Sequence, residues 1–153
     1  MMLSKNLSLV EATKSATAIK HGIANEPTQE HLQNLKLVAE NVFQPIREHF
    51  NKPLALSSGY RSEALNELIG GSSRSQHSKG EAIDVDGDIY GGISNGDIFY
   101  FIKENLDFDQ LIWEFGTNEN PDWVHVSYKE SGNRKEVLTA YKDESRRTRY
   151  RRC

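Results

Sequence analysis

The sequence lacks the features that mark secreted, membrane-bound or disulfide-stapled proteins. Its one cysteine, Cys153, is the last residue, so no disulfide framework exists and the thiol is a poor candidate for a nucleophile. No apolar run is long enough for a signal peptide or a transmembrane segment. We therefore expect a protein that is made in the cytoplasm and has no membrane partner.

The sequence also lacks a strong net charge. Nineteen Lys and Arg residues are set against 22 Asp and Glu residues, which gives a formal net charge of -3. Positive charge is concentrated after residue 141, where six Lys and Arg residues accompany only two acidic ones. The remaining body is acidic, which argues against nucleic acid as a partner, and we expect a monomer. The basic segment 142–153 is predicted to be a disordered tail.

The length of 153 residues suits one domain with its own hydrophobic core, which we assign to residues 1–141. Helices are predicted over 8–20, over 28–50 with an interruption at Pro45, over 63–69, and from residue 94 onward. Strands are predicted over 54–58, 82–86, 110–115, 123–128 and 137–141. This order indicates an α+β fold with a mostly antiparallel sheet.

Two histidines and a carboxylate occupy positions that the predicted strands can bring together. Asp84 and His125 each lie between aliphatic neighbours on their strands, so both point away from a core that those neighbours fill. His77 lies in the loop before the strand of Asp84 and can reach the same point. Two histidines with one carboxylate are the ligand set of a catalytic zinc site, although Fe(II), Mn or Co bind the same set. The sequence therefore predicts one metal ion, with zinc as the first choice.

Three ordered motifs carry a resemblance to a known family. The chain resembles the M15 family of zinc peptidases, which includes bacterial D-Ala-D-Ala carboxypeptidases and dipeptidases and phage L-alanyl-D-glutamate endolysins. The resemblance covers roughly residues 25–140. It implies the α+β fold shared with the signalling domain of Hedgehog proteins, with helices packed on one side of an antiparallel sheet. The motifs are Ser58-Gly-Tyr-Arg61, Ser75-x-His77-x-x-Gly80-x-Ala82-x-Asp84 and Asp122-Trp-Val-His125-Val-Ser127.

The resemblance also implies roles for single residues. His77, Asp84 and His125 match the three zinc ligands of the family. Arg61 matches the arginine that binds and polarises the substrate, and Ser75 matches a serine that helps to hold it. We expect the neighbouring Trp123 to shape the substrate site with Ser75.

The resemblance assigns the catalytic carboxylate, the general base, to Asp122. Many members of the family have Glu at this position, which is one methylene longer. Strict alternation along a strand would also place Asp122 and His125 on opposite faces, so Asp122 has to precede the strand or lie at a bulge. Glu114, on the preceding predicted strand, is the reserve candidate for the base.

The function that the resemblance implies is hydrolysis of peptidoglycan stem peptides by a zinc-activated water. The bond is either the one cleaved by D,D-carboxypeptidases or the one cleaved by L-Ala–D-Glu endopeptidases. Phage members of the family are compact and lack signal peptides, so a phage enzyme released to the cell wall is an alternative origin. Two rivals remain: a phage assembly protein that keeps the zinc fold without catalysis, and a metal-dependent binding module.

Overall fold

The computed structural model describes residues 1–153, and its centre is a six-stranded sheet. Every neighbouring pair of strands in this sheet is antiparallel except one. The expected α+β class with a mostly antiparallel sheet is therefore confirmed. Strands β1 (Met2–Ser4) and β2 (Leu7–Ser8) form a separate hairpin, and the sheet contains β3 (Ala55–Ser58), β4 (Ala82–Asp86), β5 (Gln110–Glu114), β6 (Trp123–Ser127), β7 (Glu136–Lys142) and β8 (Thr148–Arg152). Their spatial order is β3-β4-β6-β5-β7-β8, and β5 with β7 is the parallel pair.

Six α-helices accompany the sheet, and side-chain caps define where most of them begin. Ser8 and Glu11 form the expected capping box at the first helix, and Thr28, Ser62 and Ser94 cap three later helices through their hydroxyl groups. A π-helical segment, Ala39–Phe43, joins the third helix to the fourth. The helices are α1 (Leu9–Thr13), α2 (Ala16–Lys20), α3 (Gln29–Val38), α4 (Gln44–Phe50), α5 (Glu63–Leu68) and α6 (Asn95–Asn105), and none is both long and apolar enough to cross a membrane.

The hydrophobic core lies on one face of the sheet. Ile83 and Val85 of β4 and Val124 and Val126 of β6 are fully buried there against residues of α3, α4 and α6. Burying each such side chain contributes about 1.5–3 kcal/mol, so this face controls the register of both strands. The opposite face is then left for the polar side chains that alternate with the aliphatic ones, as the sequence predicts.

The C-terminal segment corrects one expectation. Residues 148–152 are not disordered but form β8, which pairs antiparallel with β7 in a register that places Ala140 opposite Tyr150. The turn between the two strands is organised by Asp143, whose carboxylate accepts hydrogen bonds from the backbone of Ser145 and Arg147 and from Arg149. Charge and low hydrophobicity suggested disorder, but backbone pairing with the open edge of β7 outweighs them.

Asn95, at the start of α6, connects the end of β4 to the start of β6. It is fully buried, and its side-chain oxygen accepts a hydrogen bond of 2.7 Å from the Gly87 N–H. Its amide group donates to the Asp86 carboxylate at 3.0 Å and to the carbonyl oxygens of Pro121 and Asp122 at 3.3 Å and 3.0 Å. One side chain therefore aligns the two strands that hold the candidate ligands.

We expect Asn95→Ala to lower the free energy of unfolding by about 2–4 kcal/mol, because it leaves several buried polar groups without partners. The matched control is Asn105→Ala at the other end of the same helix, where the side chain is exposed and the expected change is within about 0.5 kcal/mol. Urea denaturation measures both changes. Equal stabilities of the two variants would contradict the role of Asn95.

Candidate metal centre

The structure brings His77, Asp84 and His125 together at the centre of the polar face of the sheet. Asp84 on β4 and His125 on β6 are direct cross-strand partners, so their side chains project from the same face. His77 lies in a short 3-10 turn, Gln76–Lys79, which precedes β4. The side chain of Ser75 begins this turn by accepting a hydrogen bond of 3.2 Å from the His77 N–H.

The turn can approach the core closely because it ends at Gly80. This residue has a φ angle of 74°, in the left-handed region that favours glycine. A Cβ atom at Gly80 would also clash with the backbone carbonyl of His31. Gly80 therefore permits the backbone path that places His77 beside the start of β4.

Two distances within this group of three residues match those between the ligands of a zinc ion. Their potential ligand atoms all lie within 4.8 Å of one another. Asp84 Oδ1 is 3.3 Å from His77 Nε2 and 3.1 Å from His125 Nδ1. Two ligands bound at about 2.0–2.1 Å from a tetrahedral zinc are about 3.3–3.4 Å apart, so the donor set fits zinc in both chemistry and spacing.

The orientation of the His77 ring is determined by the backbone. His77 Nδ1 is 2.8 Å from the carbonyl oxygen of Gly59, which can only accept a hydrogen bond. Nδ1 therefore donates to this carbonyl, and Nε2 faces Asp84. Such a contact to the other ring nitrogen is typical of histidines that bind metals. Gly59 is needed because a Cβ atom there would clash with the carbonyl of Ala12.

Asp84 is held in its ionised form. Burial by itself would raise the pKa of this carboxyl group, but the charge of His77 and hydrogen bonds from both histidines outweigh burial. The pKa of Asp84 is therefore well below its usual value. A buried carboxylate that keeps its negative charge between two imidazoles is suited to bind a cation.

Glu114 lies beside this cluster and has the opposite electrostatic character. It is 8% exposed, and burial raises its pKa to about 7, with the charge of His125 lowering it and that of Asp84 raising it. Glu114 is opposite Trp123 in the β5–β6 register, and Ile112 is opposite His125, so Glu114 and His125 share a face. A carboxyl group whose pKa is near neutrality can accept and release protons at physiological pH.

Asp122 has a different position from the one that the resemblance implied. Its side chain is exposed and does not line the cavity that contains the cluster. Its backbone N–H donates to the carbonyl oxygen of Glu114 at 2.9 Å, and its own carbonyl accepts from Asn95. Side chains alternate between the two faces of the sheet, so Asp122 does not share a face with His125. The structure brings the reserve candidate Glu114, rather than Asp122, into the cavity.

The cluster lies in an open cavity of about 810 Å³. Arg61, Ser75 and Trp123, predicted as substrate-site residues, all line it. Arg61 is half-buried and donates to Ser75 Oγ at 3.3 Å, while its buried Nε has no hydrogen-bond partner in the protein. Burial lowers the pKa of Arg61 and the charge of Asp84 raises it. A guanidinium with an unused donor is thus available beside the ligands.

Several cavity residues were not predicted from the sequence. Lys142, Thr148 and Tyr150 belong to the hairpin of β7 and β8, which was expected to be disordered beyond residue 141. The alternation of Arg with Thr and Tyr over 148–152 was the available signal for a strand. Arg134 also lines the cavity, where it forms a bidentate ion pair with the buried Asp109 at 3.0 Å and 2.9 Å.

The cavity thus combines a candidate metal site of three side chains with a buried carboxyl group, an arrangement that fits the class of metal-dependent hydrolases. Comparison with protein families agrees with this class. The family profile described as peptidase M15 matches residues 5–127, and the chain belongs to this family. The matched residues include the three candidate metal ligands, and they also include Arg61, Ser75 and Glu114. No curated protein sequence matches the chain.

Proposed function

We propose that this protein is a zinc-dependent peptidase that hydrolyses peptidoglycan stem peptides. The observation that carries the proposal is the buried Glu114 carboxyl group in the same cavity as the His77, Asp84 and His125 cluster. Membership of the M15 peptidase family supports the reaction class, and the spacing of the donors supports zinc. A zinc ion held by these three side chains supplies a Lewis acid and lowers the pKa of a water molecule towards about 7.

Glu114 is the general base in this proposal. Its carboxylate takes a proton from the attacking water, and the resulting acid gives that proton to the amine that leaves when the peptide bond breaks. One carboxyl group serves both steps because its pKa is near 7, so neither protonation state is strongly disfavoured. General acid–base catalysis of this kind contributes about 10²–10⁴-fold to the rate.

Arg61 is the electrophilic partner. One N–H of its guanidinium group donates to Ser75 Oγ, and other N–H donors of the group can hydrogen-bond the carbonyl oxygen of the scissile peptide. Negative charge develops on that oxygen in the transition state, and donors that contact it contribute about 3–4 kcal/mol. Trp123 and Phe115, whose ring centres are 5.6 Å apart, form an aromatic wall that limits where the substrate can lie.

The charges around the cavity support an acidic peptide as the substrate. Arg61, Arg74, Arg134 and Lys142 line it, whereas Asp84 and Glu114 are its only acidic residues. Stem peptides of peptidoglycan carry free carboxylates, which such cations attract. Both bonds considered from the sequence, the D,D-carboxypeptidase bond and the L-Ala–D-Glu bond, lie next to a carboxylate, so both stay within the proposal. The cell wall is then the place of action.

The test is a digest of purified peptidoglycan with zinc-loaded protein, and the products are identified by mass spectrometry. We expect stem-peptide fragments that identify one bond, and no fragments after EDTA treatment until zinc is restored. Muramidase-solubilised peptidoglycan is the matched substrate that removes any barrier of access to the polymer. Stoichiometric zinc binding with no cleavage of either substrate would contradict the proposal and favour a binding module.

A further inference from the structure

The hairpin of β7 and β8 extends the polar face of the sheet beyond the metal centre. In the strand registers, Glu114 on β5 is opposite Ala140 on β7, and Ala140 is opposite Tyr150 on β8. Residues in one cross-strand row project from the same face, so Glu114 and Tyr150 face the same cavity. Ala140 between them carries only a methyl group, which leaves room for the Tyr150 ring to lie over it.

Tyr150 is positioned to act as a hydrogen-bond donor in the cavity. Burial raises the pKa of its phenol, and the negative charges of Glu114 and Asp84 raise it further. The hydroxyl group therefore keeps its proton at neutral pH. Tyr150 is 55% exposed and lines the cavity, so a bound ligand can contact its side chain.

The other cavity residues of the hairpin are held in place by contacts within the cavity wall. Lys142 Nζ donates to Thr148 Oγ1 at 2.7 Å and lies 5.2 Å from the centre of the Phe115 ring. An ammonium group has three donors, so Lys142 retains donors for a ligand. Phe115, Lys142 and Thr148 line the cavity together with Tyr150, which makes one surface of a cation, two hydroxyl groups and two aromatic rings.

This surface and Arg61 lie at opposite ends of the sheet. Arg61 follows β3 at one edge, the ligands are on and beside β4 and β6 in the interior, and Tyr150 is on β8 at the other edge. A peptide that has its scissile bond at the ligands and its scissile carbonyl at Arg61 reaches β8 when it extends across the strands. Residues 128–153 lie outside the part of the chain that the family profile matches, so Lys142, Thr148 and Tyr150 are not part of the family match.

We infer that Tyr150, with Lys142 and Thr148, forms a substrate subsite that binds a carboxylate or carbonyl oxygen of the peptide on the far side of the scissile bond from Arg61. The inference rests on the proposed peptidase function. It makes Tyr150 a substrate-binding residue that contributes binding energy equally to the substrate and the transition state. Loss of such a contact raises KM and leaves kcat unchanged.

The first test compares Tyr150→Phe with Tyr141→Phe on solubilised stem peptides. Tyr141 is in the same hairpin on the opposite face of the sheet, under Arg151, and does not line the cavity. We expect Tyr150→Phe to raise KM about tenfold with kcat within about twofold, because one hydrogen bond is lost, and Tyr141→Phe to change neither. Equal KM values for the two variants and wild type would overturn the inference.

A binding measurement removes the dependence on turnover. Calorimetry with a stem peptide, on zinc-loaded Glu114→Gln protein with and without Tyr150→Phe, is expected to show about tenfold weaker binding in the double variant. Zinc content and thermal stability of both proteins should be equal. Unchanged affinity would overturn the inference even if cleavage were impaired.

A variant of Lys142 helps to distinguish whether the bound oxygen belongs to a carboxylate or to a carbonyl group of the peptide. Lys142→Met should weaken the binding of a stem peptide with free carboxylates, whereas Lys103→Met, at an exposed position near a separate pocket, should not. If amidation of the peptide reproduces the loss in wild type, the acceptor is a carboxylate, and if amidation has no effect, it is a carbonyl. Inactivity of the wild type would instead overturn the proposed function, which separates the two failures.

Discussion

Glu114→Gln is expected to abolish peptide hydrolysis while zinc remains bound. The substitution keeps the size of a buried side chain but removes its ability to accept a proton, so kcat should fall by about 10²–10⁴-fold. His77, Asp84 and His125 are untouched, and zinc stoichiometry should remain one per chain. Steady-state kinetics on solubilised stem peptides, with metal analysis of the same samples, measures both results.

Asp122→Asn is the matched control, because Asp122 is the carboxylate that the resemblance to the M15 family implied. Its side chain is exposed and outside the cavity, so we expect kcat within about threefold of wild type. An active Glu114→Gln enzyme together with an inactive Asp122→Asn enzyme would reverse the assignment. It would require the segment around Pro121 to rearrange when substrate binds.

The pH dependence of activity offers a second measurement of the same base. Glu114 must be ionised to take a proton from water, so kcat/KM should fall as the pH falls through the pKa of Glu114. Burial raises that pKa to about 7, and a divalent cation bound nearby would lower it. The acid limb should therefore lie at or below about pH 7, and it should be absent from the residual activity of Glu114→Gln.

His77→Ala is expected to remove zinc binding and activity together. Two ligands remain, which is fewer than the three protein ligands of catalytic zinc sites. For wild type, zinc at about 1,000 times its Kd should stabilise the folded state by about 4 kcal/mol, which raises Tm measurably. His77→Ala should show no zinc-dependent increase in Tm in the same differential scanning experiment.

His21→Ala is the control for this second prediction, because His21 is an exposed residue at the end of α2, outside the cluster. It should keep the zinc-dependent increase in Tm and full activity. A stoichiometric zinc ion in His77→Ala would show that the metal is held elsewhere or by a fourth protein ligand. Under either explanation, His77 would not be an essential ligand of the metal centre.

The ligand set could be predicted from the sequence because it depends on local rules. The alternation of aliphatic and polar side chains in β4 and β6 assigns Asp84 and His125 to the face away from the core, and the core face is indeed fully buried. The turn of His77 follows from Ser75 and Gly80, which begin and end it. In each case the determining interactions lie within a few residues along the chain.

The choice of base could not be made in the same way. Asp122 and Glu114 are both carboxylates near strand ends, and only the pairing of β5 with β6 shows which of them faces the ligands. The pKa of Glu114 depends on burial by residues that are distant in sequence, which no local pattern reports. The motif indicates a carboxylate at the site and assigns it to Asp122, whereas the structure places the carboxyl group of Glu114 in the cavity.

By itself, the sequence determined the α+β class, the three candidate ligands and the family, because hydrophobic periodicity and short motifs are local properties of the chain. Only the tertiary structure decided that β8 pairs with β7, that Tyr150 and Lys142 reach the cavity, and that Glu114 is buried beside the ligands. These features depend on strand order and on side chains from distant segments. A basic terminal segment becomes ordered because a neighbouring strand has free backbone groups to pair with it.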